Sequence, residues 1–249
     1  MRYALNHQVL TLFLVMGSMT SYGCSSIFSE PPPTHTFPIV NSAWIEHSVE
    51  LKHSCFFGDL YGENELWLLS PYPFSETSHM SDLDGNAIHP QYEKGLVPAG
   101  TTFKVKRIEA PSRLALFRRM LWTPRFYTWV YLEQISTPPS LEHRERPFVI
   151  VLKGDYAESQ ELEMALNSWL DKNRTTSKWI ANRSPMIQYG IRNKEAIEGM
   201  TLQELITAVG KPEKLVSQNT DSEMATVAHY PNQKYVFRSQ KLVAIKPKS

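Results

Sequence analysis

Cysteine is nearly absent: Cys24 and Cys55 are the only two in 249 residues. Two thiols cannot build a disulfide-dense scaffold or a four-cysteine zinc site. A large charge of one sign is also missing. The 26 Lys+Arg against 25 Asp+Glu leave a formal charge of +1, which excludes a global attraction to nucleic acid. No apolar run reaches the roughly 18 residues that a spanning helix needs. There is no G-x-S-x-G, no Walker A loop and no G-x-G-x-x-G, so serine and nucleotide chemistry have no motif to stand on. Yet 42% of the chain is hydrophobic. That share is too high, and the net charge too low, for a disordered chain; the length allows one or two domains with real cores.

The N-terminus reads as an address. Arg2 is the only charge among residues 1–23, and an apolar segment, Val9–Met16, follows it. Small and polar residues then lead to Cys24. A basic start, a short apolar middle and a small-residue exit describe a secretory signal peptide. The exit, Ser21-Tyr22-Gly23-Cys24 followed by Ser25-Ser26, resembles the lipobox of bacterial lipoproteins. That resemblance implies cleavage after Gly23 and a lipid on the Cys24 thiol, with Ser25 favouring the outer membrane. Ser21-x-Gly23 also satisfies small-x-small, so a plain signal-peptidase site and a soluble periplasmic chain stay open. Removing residues 1–23 takes away one base and no acid, leaving 25 of each. If Cys24 carries lipid, Cys55 is a lone thiol in the apolar patch Cys55-Phe56-Phe57; if not, a 24–55 disulfide is possible in an oxidising envelope.

Three further blocks follow. Residues 24–38 hold the anchor and a spacer whose Pro31-Pro32-Pro33 run favours extended polyproline II. Residues 39–145 are β-rich, with strand-like runs at Ala43–Leu51, Glu65–Ser70, Thr101–Ile108 and Thr128–Glu133, separated by Gly and Pro turns. A small barrel or sandwich is the expected form. The segment Gly95–Val105, in which Pro98-Ala99-Gly100 leads into a strand, resembles bacterial SH3-like barrels. Residues 146–249 switch to helix and strand together, so the fold class expected overall is α+β. Pro147–Leu152 is a continuous apolar run suited to a strand buried on both faces. A helix is predicted over about 156–171 from the stripe Leu162, Leu166, Trp169 and Leu170, capped at Asp155. An irregular stretch around Trp179–Tyr189 is expected next, broken by Ser184-Pro185.

The strongest local pattern runs from Glu198 to Pro212. Thr201 and Glu204 have capping-box spacing, and Leu202, Leu205, Ile206 and Val209 share one helical face. Gly210 and Pro212 then end the helix. Three antiparallel strands are expected after it: Ala225–Tyr230, Lys234–Phe237 and Leu242–Ile245. This Gly199-Met200-Thr201 … Glu204 … Gly210-Lys211-Pro212 helix with its strand meander resembles the BamE (SmpA/OmlA) lipoprotein superfamily over about residues 190–246. His229-Tyr230 stands where Trp-Tyr is common in that family, and Tyr235-Val236-Phe237 matches its aromatic run. The resemblance implies a non-catalytic domain of cell-envelope lipoproteins that binds other proteins or supports assembly.

Candidate chemistry is sparse. Asp82-Leu83-Asp84-Gly85-Asn86 has spaced oxygens, with Glu93 eleven residues after Asp82, but its glycine is misplaced for a calcium hand and Asp-Gly-Asn suits a hairpin turn. None of the histidines forms a metal-spaced pair, so no metal or cofactor is expected. His53 and Cys55 would share a strand face, a geometry open to a Cys–His pair, although nothing orients them. Seven bases crowd one stretch: Lys104, Lys106, Arg107, Arg113, Arg118, Arg119 and Arg125, against the single acid Glu109. Interleaved aromatics make that stretch a candidate for an anionic surface or a partner protein. The expected protein is thus a non-enzymatic binding or assembly module, held by lipid at the outer membrane and facing envelope proteins. A periplasmic hydrolase or a glycan-binding protein using the β-rich block is the alternative.

Overall fold

A computed structural model of the chain describes residues 43–60, 65–77, 80–111, 127–135, 146–154, 156, 158–220 and 223–247. The signal, Cys24, the spacer, and Arg113, Arg118, Arg119 and Arg125 lie outside them. The described residues fall within one compact unit and are α+β in composition.

The first ten strands are β1 (Ser48–Leu51), β2 (Cys55–Asp59), β3 (Trp67–Ser70), β4 (Met80–Ser81), β5 (Ala87–Ile88), β6 (Glu93–Val97), β7 (Thr102–Glu109), β8 (Tyr127–Gln134), β9 (Phe148–Lys153) and β10 (Leu170–Asp171). Eight of them form one sheet in the order β10-β1-β7-β8-β9-β3-β2-β6, while β4 and β5 pair as a separate hairpin. Neighbours run antiparallel except β3 and β9, which are parallel. The strand expected to open the C-terminal block, β9, is therefore an internal strand of the sheet that the β-rich block builds. Its continuous apolar run follows from that place: Phe148, Ile150 and Leu152 enter one core while Val149 enters another.

Helix α1 (Ser159–Trp169) links β9 to β10 and lays Leu162 and Leu166 on the first face, against Val49, Phe57, Phe103 and Phe148. Each fully buried leucine contributes about 1.5–3 kcal/mol. The N-cap is Glu158, whose side chain makes no capping bond, and Asp155, the expected cap, lies outside the described residues. The opposite face of the sheet packs Leu68, Trp129 and Tyr131 with Met80 and Ile88 of the β4–β5 hairpin.

The rest of the chain forms a second lobe. Helices α2 (Thr176–Ala181), α3 (Pro185–Asn193) and α4 (Leu202–Val209) precede β11 (Lys214–Thr220), β12 (Glu223–His229), β13 (Gln233–Arg238) and β14 (Lys241–Pro247). These four strands are antiparallel and hydrogen-bonded in sequence order. Their inner face (Ala228, Tyr235, Phe237, Leu242) packs on Leu205 and Ala208 of α4 and Ile191 of α3. The stretch expected to be irregular holds two helix segments instead. Pro185 does not break α3 but opens it at the first helical position, where its missing N–H is no loss, and Ser184 caps the turn. Helix α4 shows both capping-box bonds: Glu204 N–H donates to Thr201 Oγ1 at 3.2 Å, and Thr201 N–H donates to Glu204 Oε2 at 2.7 Å.

Candidate functional site

The two lobes meet on the short turn Lys52–Ser54 between β1 and β2. The sequence marks it only through His53, as a candidate partner for Cys55. In the fold it plugs into a slot between the end of α1 and helices α3 and α4. Ser54 N–H donates to Thr207 O at 2.9 Å, and Ser54 Oγ donates to Ile191 O while accepting from Ala99 N–H. The His53 ring spans the slot: Nδ1 lies 3.1 Å from Ile206 O and Nε2 lies 2.9 Å from Ser168 O. A neutral ring donates to one of these carbonyls; only the imidazolium donates to both. Burial outweighs that gain, and Lys211 and Lys194 add repulsion, so the His53 pKa is held down to about 4.

Lys194 is the other bolt. It ends α3 in the left-handed region, at φ 57°, which turns its side chain back under the lobe. Its Nζ donates to Ser54 O at 2.7 Å, Pro71 O at 2.9 Å and Ala208 O at 3.2 Å. Those three carbonyls come from the β1–β2 turn, the segment after β3, and the end of α4. The last is where a cation complements the helix dipole. Three ammonium protons meet three oxygens, so the charge is fully solvated by main chain. Burial still lowers its pKa to about 8.

Carboxylates fix the start of α2. Glu50 and Asp171 face each other across β1 and β10. Asp171 accepts from the backbone N–H groups of Asn173, Thr175 and Thr176 and from both threonine hydroxyls; Glu50 accepts from Ser177 N–H and Oγ. Burial disfavours the Asp171 charge, but these donors outweigh it and leave the carboxyl below its ordinary range.

A groove of about 280 Å³ opens beside the junction. Its walls are Phe56, Tyr72, Tyr230 and Tyr235, with Pro71, Pro73 and Pro231, and Glu76 and Lys194 supply its charges. The phenol oxygens are tied back: Tyr72 donates to Lys211 O and Tyr230 to Gly210 O, both at 2.6 Å, and Tyr235 donates to Gln233. What the groove offers is therefore ring and proline surface.

Compared with family models, curated proteins and solved structures, the chain matches none.

Of the basic stretch, the structure places Lys104, Lys106 and Arg107 on β7. Lys104 and Lys106 meet Glu46 at 3.4 and 2.7 Å, Lys106 also lies 3.5 Å from Glu133, and Arg107 meets Glu109 at 3.1 Å while stacking over Tyr131. Each of the three described bases thus has a carboxylate beside it. His53 and Cys55 do not form a pair: the ring serves the slot, and Cys55 Sγ approaches His53 O at 3.4 Å. Burial pushes the Cys55 thiol up to about 12, the signature of an inert core cysteine. Asp82 closes the β4–β5 hairpin turn, accepting from Asp84 N–H, Asn86 N–H and Asn86 Nδ2, and Glu93 instead accepts from Phe74 N–H. Among the described residues no cluster of three or more metal-ligating side chains occurs, and no helix is long and apolar enough to cross a membrane.

The residues that sequence reading missed are Glu50, Ser54, Asp171 and Lys194. No motif flags them. A basic residue at the C-cap of α3 is the single local hint, since cations suit helix ends.

Proposed function

We propose that this chain is a cell-envelope lipoprotein, anchored through Cys24, whose folded part is a binding or assembly module without catalysis. The observation that carries the second half is the use made of its buried ionisable groups. His53, Lys194, Glu50 and Asp171 all direct their hydrogen bonds at main chain or at helix-capping hydroxyls. Groups so committed join the two lobes and do not converge as an acid, base and nucleophile among the described residues. Support for the first half comes from the signal, the Cys24 motif and the proline spacer. The likeness of Gly199–Pro212 to the BamE superfamily supports the same setting. Membranes from cells producing the protein, treated with a crosslinker and purified through it, should yield the same partner proteins in repeated trials. Recovery of none above a Cys24→Ser control would count against the proposal.

A second reading has an observation of its own. A hollow of about 390 Å³ on the β-rich sheet is lined by Arg107, Trp129, Tyr131, Asp82 and Asp84, and the buried Trp129 Nε1 has no hydrogen-bond partner. Aromatic rings beside an Arg and carboxylates suit a glycan. Cosedimentation with purified peptidoglycan sacculi tests it; protein left in the supernatant would dispose of it.

A further inference from the structure

The outer face of the C-terminal sheet carries a pattern that only the strand register reveals. Residues directly opposite one another share a face. Lys214, His229, Lys234 and Lys246 pair in one continuous row across β11, β12, β13 and β14. The next row on that face is Val216, Val227, Val236 and Ala244. The third is Gln218, Ala225, Arg238 and Lys241. No acid occupies any of the three rows; Glu213 and Glu223 sit beyond them at strand ends. Lys214, Arg238, Lys241 and Lys246 are exposed, and none of the four makes an ion pair among the described residues. The middle row belongs to none of the three apolar cores.

We infer that this face is a docking trough for an amphipathic α-helix of a partner protein, apolar along one stripe and acidic on both flanks. The inference rests on the binding-module reading and names the surface that would serve it. Charge complementarity selects acidic flanks. The dimensions select a helix. Rows two residues to either side of the floor stand about 13–14 Å apart along the strands, and a helix is about 10–12 Å across. Three inter-strand gaps make the floor about 14 Å long, or roughly ten helical residues. A single extended strand, one inter-strand spacing of about 4.8 Å wide, would not reach both rims. A lipid bilayer is disfavoured by the floor itself. Its side chains are Val and Ala, recessed below long basic ones: Val227 is 7% accessible. Insertion into a headgroup region calls instead for protruding aromatic or leucine side chains.

The test uses the full mature chain and a synthetic peptide of about 14 residues with leucines at helical i, i+3, i+4, i+7 spacing and glutamates on the flanks. A dye on the peptide reports binding by fluorescence anisotropy at low salt. An isomer of the same composition with the leucines scrambled is the control, and vesicles rich in phosphatidylglycerol are run alongside. The expected result is saturable binding of the amphipathic peptide. It should weaken at least about tenfold in K214E/K246E, in line with the loss of several rim charge contacts, and be unchanged in K178E on α2. The scrambled isomer should bind at least about tenfold more weakly, because the floor then has nothing to take. No binding, equal binding of the isomer, or equal binding by K214E/K246E would overturn the inference. So would vesicle binding lost in K214E/K246E where the peptide fails, which would reassign the face to lipid. None of these failures touches Cys24 anchoring, which membrane fractionation reads separately.

Discussion

Lys194→Met removes the bolt between the lobes while keeping the apolar stem. Its left-handed backbone, at φ 57°, strains Lys and Met alike, so conformation drops out of the comparison. What changes is that Ser54 O, Pro71 O and Ala208 O lose the donor that reaches all three. A buried acceptor left without its donor costs about 1–3 kcal/mol, so three of them threaten at least about 3 kcal/mol. Relief of the buried charge works the other way. With a folded pKa of about 8 against an ordinary value of 10.5, the amine stays mostly protonated at pH 7, but folding with that charge costs about 3 kcal/mol more than folding with the neutral amine. That figure compares two protonation states, and both of them keep donors; methionine keeps none. The expected net loss is therefore about 2–4 kcal/mol at pH 7, read from urea unfolding. The pH profile gives a second check. The folded chain gives up this proton near pH 8 and the unfolded chain near 10.5, so the wild type gains stability on this group's account as pH rises from about 8 toward 10.5, and K194M lacks that gain. Comparing the two chains cancels the buried tyrosines, whose raised pKa values act on both. A loss under about 1 kcal/mol together with parallel pH profiles would refute the bolt.

Gly190→Ala in α3 should destabilise by about 1–3 kcal/mol, since an added Cβ would lie 2.5 Å from Ile197 Cγ1, 2.6 Å from Met200 Cε and 2.8 Å from Glu195 O; thermal melting checks it, and an unchanged midpoint would contradict the packing described. Cys55 should resist a thiol reagent in the folded chain and react at once in denaturant, because it is fully buried and its pKa is pushed up to about 12. His53 should stay neutral down to about pH 4 in an NMR titration. Its folded pKa lies below the ordinary 6.5, so the unfolded chain binds the proton first and stability falls by up to about 3 kcal/mol as pH drops from 6.5 toward 4. His53→Gln should flatten that limb, and a slope equal to that of the wild type would contradict the assignment.

Local rules made some of this fold legible. Thr201 and Glu204 announce their helix because a capping box involves only four consecutive residues, and the helix runs Leu202–Val209 as the apolar spacing requires. Strands β3, β7 and β8 fall within two residues of their expected bounds for the same reason: alternation and flanking turns are local. The membership of β9 was not legible. Its parallel partner β3 lies some 80 residues away, and nothing in Phe148–Lys153 names it. Pro185 misled because proline both breaks helices and starts them, and the choice depends on Ser184 reaching Ile187 N–H. The junction was illegible for a related reason. Lys194 and His53 act through main-chain oxygens, which carry no residue identity. The basic trough was hidden too. Its five Lys and Arg positions are spread over residues 214–246 and become a surface only when four strands are placed in register.

Intact-mass measurement of the protein purified from bacterial membranes bears most directly on an anchored envelope module. The account predicts a chain that begins at Cys24, carries the added mass of a diacylglyceryl group, and moves to the soluble fraction in Cys24→Ser. A chain that begins elsewhere, or an unmodified Cys24 in protein found in the soluble fraction, would contradict it.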